Sequence, residues 1–154
     1  MRIRRAESAD VPAIRAIVEA AYAPYVPRIG RAPAPVGADY QGLVAASEVW
    51  VGDSDGQVVG VLVIRPIGDV LELENVAVDP AHQRRGFGRA LIAFAEQHAR
   101  ALELTAVVLY TNETMVENLQ LYPRLGFVET GRRVEDGYRR VFFRKSLDAR
   151  ALRS

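Results

Sequence analysis

The sequence contains no cysteine and only one lysine, Lys145, among its 154 residues. The absence of cysteine excludes disulfide bonds, thiolate metal sites and a cysteine nucleophile, and it agrees with a reducing compartment. No run approaches the ~20 consecutive apolar residues of a membrane helix, and the N-terminus lacks the apolar core of a signal peptide. We therefore expect a cytoplasmic protein that does not enter a membrane.

An excess of charge of one sign is also missing, because 20 Lys and Arg residues nearly balance 19 Asp and Glu residues, leaving a net charge of +1. Such a balance provides no broad electrostatic attraction to nucleic acid. With 49% hydrophobic and 25% charged residues, the composition is that of a globular chain. The length suits one hydrophobic core, so we predict a single domain over residues 1–154.

Hydrophobic periodicity and turn residues divide the chain into short strands and helices. Strand patterns lie at residues 2–5, 49–51, 58–64, 70–79, 107–110, 126–127 and 141–143, and helix patterns follow residues 10, 39, 88 and 114. This order indicates an α+β or mixed α/β domain with helices on both faces of one sheet. Four prolines from Pro24 to Pro35 exclude a regular element there, and Thr114 with Glu117 predicts a capping box for the last helix.

The strongest local feature is a pair of glycines between a strand and a helix. The segment reads Val76-Ala77-Val78-Asp79-Pro80, followed by Gln83-Arg84-Arg85-Gly86-Phe87-Gly88-Arg89. Glycines let backbone N–H groups approach an anion, and a helix N-terminus favours negative charge. A pyrophosphate is therefore the predicted ligand. The Gly-x-Gly-x-x-Gly dinucleotide motif and the Gly-Lys-Ser/Thr phosphate loop are both absent.

The spacing of Gln83, Gly86 and Gly88 fits the pattern Gln/Arg-x-x-Gly-x-Gly/Ala, and Leu121-Tyr122-Pro123-Arg124-Leu125-Gly126-Phe127 follows downstream. In both segments, and in element order from residue 2 to about 146, the chain resembles the GNAT superfamily of N-acyltransferases. The resemblance implies a mostly antiparallel central sheet and an acetyl-CoA cosubstrate without a metal. It also implies a set of CoA-binding residues: Val76, Ala77, Val78, Gln83, Arg84, Arg85, Gly86, Phe87, Gly88, Arg89, Asn118 and Tyr122.

Two residues depart from the family pattern. Pro123 follows the motif tyrosine, and because proline lacks an N–H and clashes with the preceding turn, a bend of the helix at Tyr122 is an open alternative. Met115 stands where the family usually has an asparagine, seven residues before the tyrosine. We expect Asn118, one turn before Tyr122, to replace that asparagine in contacting the pantetheine arm.

Strand 70–79 carries a pair of carboxylates. Strict alternation places Glu72, Glu74, Val76 and Val78 on one face, with Glu72 and Glu74 roughly 7 Å apart. At that distance one charge raises the pKa of the other carboxyl group, which suits a general base that deprotonates an amine. The resemblance implies this role for Glu74, or for Glu72. It also implies that the Val76 N–H stabilises the oxyanion and that Tyr122 protonates the departing thiolate.

The resemblance further implies direct transfer to an amine of a small molecule or peptide, in a ternary complex. The expected acceptor pocket contains Tyr22, Tyr25, Arg28, Arg31 and Tyr40, where the arginines point to an acceptor that also bears a carboxylate. The acceptor's identity, and the choice between monomer and homodimer, stay open. One alternative is a non-catalytic acyl-CoA sensor. The other is a nucleic-acid-binding domain that uses Arg84, Arg85, Arg89 and the pairs at 132–133 and 139–140, which the charge balance disfavours.

Overall fold

The computed structural model describes residues 1–147, so residues 148–154 of the predicted domain lie outside the described part. The strands are β1 (Arg2–Arg5), β2 (Val49–Ser54), β3 (Gln57–Ile67), β4 (Val70–Val78), β5 (Ala106–Asn112), β6 (Val128–Glu135) and β7 (Tyr138–Ser146). The helices are α1 (Val11–Tyr22), α2 (Val26–Ile29), α3 (Tyr40–Ala45), α4 (Phe87–Ala101) and α5 (Val116–Arg124). No helix within the described residues is long and apolar enough to cross a membrane.

The seven strands form one mixed sheet in the order β1-β2-β3-β4-β5-β7-β6. Every neighbouring pair is antiparallel except β4 and β5, which run parallel. A parallel pair needs a crossover connection, and α4 supplies it. The predicted fold class, a mostly antiparallel sheet with helices on both faces, is confirmed.

Two hydrophobic clusters pack against the opposite faces of the sheet. On one face, Ile14 and Val18 of α1 lie with Tyr40 of α3 against β2 and β3. On the other face, Leu91 and Ala95 of α4 pack with residues of α5 and the central strands. The helical spacing of the apolar residues in α1 and α4 produces these buried stripes. Asp10 precedes α1 as expected, but its carboxylate accepts hydrogen bonds from Arg4 and from the Glu7 N–H rather than from α1.

A β-bulge in β4 changes which residues share a face. The register pairs Ile64 with Leu73 and Val63 with Asn75, so Glu74 has no partner in β3. An extra residue reverses the alternation beyond it. The prediction that Val76 and Val78 share the face of the two glutamates is therefore wrong, since both valines pack on the cluster that contains Leu71 and Leu73.

The strands β4 and β5 pair only at their beginnings. Their register covers Val70 to Glu72 opposite Ala106 to Val108 and then stops. Beyond those residues the two strands diverge, although β5 remains paired with β7 through Asn112. The divergence opens a cleft in the middle of the sheet. This cleft contains a cavity that residues of both strands line.

The proline-rich segment is more regular than the sequence predicted. Besides α2, it contains 3-10 turns at Ala23–Tyr25 and Ala34–Gly37. Each of these three elements has a proline in its first turn, where the missing N–H would have no helical partner in any case. The expectation of no regular element was wrong because proline starts short helical turns as readily as it ends long ones.

The two ends of α5 also differ from the prediction. Its N-cap is Met115 without a side-chain cap, because Thr114 donates its hydroxyl to Asn112 while Glu117 pairs with Arg28. The predicted capping box is therefore wrong. At the other end, the Phe127 N–H donates to the Tyr122 carbonyl at 3.0 Å, so residues 126–127 close the helix and β6 begins only at Val128.

Truncating Leu91 is expected to destabilise the fold. Its side chain is fully buried between α4 and the sheet, so Leu91→Ala leaves a cavity and should lower the free energy of unfolding by about 2–5 kcal/mol. Leu102→Ala is the control, because Leu102 follows α4 with 46% of its surface exposed and should change stability by less than about 0.5 kcal/mol. Urea unfolding measures both values, and equal losses would contradict the assignment of the core.

Candidate active site

A cavity of about 540 Å³ occupies the cleft between the diverging ends of β4 and β5. One wall is the segment from His82 to Arg89, which leads into α4. The opposite wall comes from α1, α2 and the proline-rich segment, and α5 with the start of β7 completes the lining. The cavity therefore joins the glycine loop predicted to bind phosphate with the region predicted to bind the acceptor.

The glycine loop leaves the first N–H groups of α4 open. Gly86 is the N-cap residue with φ +79°, no side chain caps the helix, and a Cβ placed on Gly86 meets no atom within 4 Å. Arg84 also has positive φ, and the Gln83 side chain holds the loop by donating to the Val78 carbonyl at 3.3 Å. Free amides at the positive end of a fifteen-residue helix suit an anion.

Most residues predicted to bind CoA line this cavity. They are Val76, Ala77, Val78, Gln83, Arg84, Gly86, Phe87, Gly88, Arg89, Asn118 and Tyr122. Arg85 is an exposed residue of the same loop and is not among those that line the cavity. His82 lies beside the loop, 3.5 Å from the Asp79 carboxylate and stacked on the Phe87 ring.

Helix α5 contributes the hydroxyl group of Tyr122 to the cavity lining. Tyr122 is 4% exposed, and its ring contacts those of Phe127 and Phe143. Burial raises the pKa of the Tyr122 hydroxyl to about 12, so this group keeps its proton at neutral pH. Pro123 lies within α5 one residue before its end, and Tyr122 still lines the cavity. Asn118 lines it too and donates to the Thr111 hydroxyl at 3.1 Å.

Glu74 lines the cavity, whereas Glu72 is not among the lining residues. Both carboxylates contact the guanidinium of Arg65, which is on the neighbouring strand β3. Burial is the main cause that raises the pKa of Glu74 to about 7, and the hydrogen bond and charge of Glu72 act in the same direction. The Arg65 charge opposes this shift without cancelling it. A carboxyl group with this pKa can exchange a proton near neutral pH.

The five residues predicted to bind the acceptor are only partly brought together. Tyr22 and Tyr25 line the cavity. Arg28 forms a 2.7 Å ion pair with Glu117, and Arg31 lies over the Tyr138 ring.

The fifth of these residues, Tyr40, is 1% exposed and donates its hydroxyl to the Pro35 carbonyl. It lines a separate cavity of about 180 Å³. Sequence reasoning missed Asn75, which is buried and links Tyr40 with Tyr22. Its Oδ1 accepts from the Tyr22 hydroxyl at 2.7 Å, and its Nδ2 donates to the Tyr40 hydroxyl at 3.1 Å. This network ties α1 and α3 to the bulged part of β4.

Three further lining residues on the acceptor side were also missed: Tyr110, Tyr138 and Arg140. Tyr110 belongs to the diverging part of β5, and Glu74, Asn75 and Tyr110 are shared by the two cavities. The carboxyl ends of parallel strands meet at one edge of a sheet. The polar residues after the buried part of β5 were therefore a signal in the sequence that Tyr110 lines the site. Tyr138 and Arg140 come from β7, whose pairing with β5 the sequence did not reveal.

Comparison with known proteins decides the family. A model of the Acetyltransferase (GNAT) family matches residues 14–127, which is most of the chain. The chain belongs to this family. The resemblance predicted from the glycine loop and the tyrosine motif is therefore confirmed, and the match of the GNAT model extends from the first turn of α1 to the end of the tyrosine motif.

The curated relatives of this GNAT chain include mammalian N-acetyltransferases. N-acetyltransferase family 8 member 3 of Rattus norvegicus is 36% identical over 88 residues, covering 53% of this chain and 39% of that protein. N-acetyltransferase 8 of Mus musculus is 35% identical over 94 residues, covering 57% of this chain and 41% of that protein. The chain thus spans about two fifths of the length of the curated relatives it matches.

Solved structures agree over nearly the whole length. An acetyltransferase of Salmonella typhimurium, solved with its cofactor acetyl-CoA, is 26% identical with a TM-score of 0.72, covering 96% of this chain and 94% of that one. An N-acetyltransferase of Thermoplasma acidophilum in complex with coenzyme A has a TM-score of 0.78 at 14% identity, covering 95% and 98%. The second similarity supports the fold alone.

Proposed function

We propose that this GNAT protein transfers an acetyl group from acetyl-CoA to an amine within a ternary complex. The observation that carries the proposal is the single cavity that joins the open amides of the glycine loop to Glu74. The first group suits the cosubstrate's phosphates, and the second suits removal of an amine proton. The Salmonella typhimurium structure with acetyl-CoA supports the choice of cosubstrate.

In the proposed complex, acetyl-CoA lies in the gap between β4 and β5. Its pyrophosphate meets the N–H groups that start α4, with Arg84 and Arg89 beside them. Its pantetheine arm runs along Val76 to Val78, since β4 has no β5 partner beyond Glu72 and its backbone groups are open on that side. Asn118 lies across the gap on α5.

The proposed reaction is a direct transfer in two bond changes. Glu74 takes one proton from the ammonium form of the acceptor, and the free amine nitrogen attacks the thioester carbonyl, so that the N–C bond forms. The C–S bond then breaks, the thiolate takes the proton of the Tyr122 hydroxyl, and the second proton released by the nitrogen restores that hydroxyl. Among backbone donors, the N–H of Val76 is our candidate for holding the oxyanion between these steps, because the adjoining bulge and the strand divergence leave β4 irregular there.

An acceptor screen tests this proposal. Thiol release from acetyl-CoA is measured with amino acids, polyamines, aminoglycosides and peptides, after calorimetry has established that acetyl-CoA binds. Thiol release that depends on an amine supports the transferase. Tight binding of acetyl-CoA without release by any amine would favour the acyl-CoA sensor, and no binding would overturn the cosubstrate assignment.

Tyr122→Phe is expected to lower turnover while leaving acetyl-CoA affinity nearly unchanged. The hydroxyl matters mainly when negative charge develops on sulfur, so its loss affects the transition state more than the ground state. The expected loss is modest, roughly 10- to 100-fold, because a thiol of pKa ~8.5 is a fairly good leaving group. Steady-state rates at saturating acetyl-CoA give the answer. Wild-type turnover would show that water protonates the thiolate, with the family assignment unaffected.

A further inference from the structure

Arg140 is a lining residue on the acceptor side that the proposed mechanism does not use. It lies on β7, directly opposite Asn112 at the diverging end of β5. Its side chain is only 12% exposed. The guanidinium carbon lies 4.2 Å from the centre of the Tyr110 ring and 5.6 Å from that of Tyr138. Two aromatic rings therefore fix the position of a buried cation within the cavity wall.

The charge of Arg140 is only partly neutralised. Its Nη1 donates to Glu135 at 3.0 Å, but the same carboxylate also accepts from Arg133 at 2.9 Å. Two guanidinium groups thus share one carboxylate, which leaves an excess of one positive charge.

The Nε of Arg140 is buried and has no hydrogen-bond partner among residues 1–147. A buried donor without a partner is unfavourable, and a charged donor more so. A carboxylate that approached the Nε edge of the guanidinium would supply the missing acceptor and form the paired hydrogen bonds typical of arginine.

The other arginines expected to bind a carboxylate are engaged elsewhere. Arg28 pairs with Glu117, and Arg31 donates to the Asp136 carbonyl while lying over the Tyr138 ring. Neither residue lines the cavity, so Arg140 is the guanidinium that the acceptor wall presents. Arg140 and Glu74 line the same cavity, and Tyr110, whose ring Arg140 contacts, lines both cavities together with Glu74.

We infer that the acceptor is an amine that also carries a carboxylate, and that Arg140 binds this carboxylate while Glu74 receives the amine proton. The inference rests on the proposed acetyl transfer. It assigns Arg140 as the residue that determines acceptor specificity, and the substrate class as amino carboxylates, with amino acids as the simplest members. A polyamine lacks the anion and would meet the positive charge of Arg140.

The first test measures binding without turnover. Protein saturated with CoA is titrated with N-acetyl-alanine, N-acetyl-leucine and N-acetyl-phenylalanine, and with the corresponding C-terminal amides. In at least one pair the carboxylate is expected to bind roughly 10- to 100-fold more tightly than the amide, since it alone forms charged hydrogen bonds with Arg140. Equal binding within every pair, including no binding by either member, would overturn the inference.

The second test compares Arg140→Gln with Arg139→Gln. Arg139 is adjacent, 74% exposed, and outside the cavity lining, so its loss removes the same charge without touching the acceptor. Arg140→Gln should abolish the preference for carboxylates and raise the KM of the amino acid roughly 10- to 100-fold, with the affinity for acetyl-CoA unchanged. Arg139→Gln should retain the wild-type preference.

Arg140→Lys covers the case in which the glutamine variant fails to fold. Lysine keeps the charge but loses the planar pair of donors, so a weaker preference for carboxylates than that of the wild type is expected. A wild-type preference in Arg140→Gln, or in Arg140→Lys if the glutamine variant does not fold, would overturn the inference. Efficient turnover of amines that lack a carboxylate would also do so, while leaving the proposed acetyl transfer intact. Failure to bind acetyl-CoA would instead reject the proposed function itself.

Discussion

Glu74→Gln is expected to lower turnover roughly 10²- to 10⁴-fold at neutral pH. Glutamine preserves the size of the side chain and a hydrogen bond with Arg65 but cannot accept the proton of the amine. An amine of the lysine type has a pKa near ~10.4 and is protonated at neutral pH, so it cannot attack the thioester without a base. The loss should therefore appear in turnover, measured by thiol release at saturating acetyl-CoA.

The pH profile separates a base from a structural residue. Because Glu74 acts as a base only when ionised, and its pKa is raised to about 7, wild-type turnover should rise through pH 7 and level off above it. Below that pKa the rate should fall about tenfold per pH unit, as the unprotonated fraction falls. The Gln variant should lose this inflection and recover in part at high pH, where the amine deprotonates unaided.

Glu72→Gln is the matched control, because it removes a carboxylate from the same strand and the same Arg65 contact. Glu72 raises the pKa of Glu74, so its removal should move the inflection below pH 7 while turnover above the inflection stays near that of the wild type. If Glu74→Gln keeps both the wild-type rate and the inflection, bulk solvent removes the proton and the pair is structural.

Gly86→Val is expected to weaken acetyl-CoA binding by roughly 100-fold, as measured by calorimetry. A β-branched side chain at this N-cap position would occupy the space in which a phosphate approaches the open amides of α4. Loss of one charged hydrogen bond costs about 1.5–3 kcal/mol, which corresponds to a factor of ~10 to ~100 in affinity. Displacement of the phosphate affects more than one such bond, so the upper end is expected.

Backbone strain must be separated from steric blockage, since Gly86 has φ +79° and any other residue is strained there. Gly56→Val is the control, because Gly56 has φ +80° and equally open surroundings but lies in the turn between β2 and β3. Both variants should lose similar stability on thermal unfolding, while only Gly86→Val should lose affinity for acetyl-CoA. Equal affinities in the two folded variants would exclude the loop as the pyrophosphate site.

Local sequence signals were sufficient to predict those turns and helices that depend only on residues close together in the chain. The Asp-Gly turn at residues 55–56 connects β2 and β3, because that dipeptide tolerates positive φ. The helical spacing of apolar residues located α1 and α4, and the glycines located the open N-terminus of α4. These features need no knowledge of distant contacts.

Local signals failed where two residues compete for partners. Thr114 and Glu117 have the spacing of a capping box, yet Asn112 and Arg28 are their observed partners. The bulge at Glu74 was also missed, because the prediction treated residues 70–79 as one regular strand. A bulge arises from the pairing of β3 with β4, so a single strand carries no clear sign of it.

The sequence by itself determined the family, the class of fold and the loop that suits a phosphate, because those depend on the order and spacing of residues along the chain. Only the tertiary structure decided how the site is composed. It placed Glu74 rather than Glu72 in the cavity, and it brought Arg140 of β7 beside Tyr110. Both outcomes follow from the pairing of strands distant in sequence, which sets the face each side chain occupies and the charges that surround it.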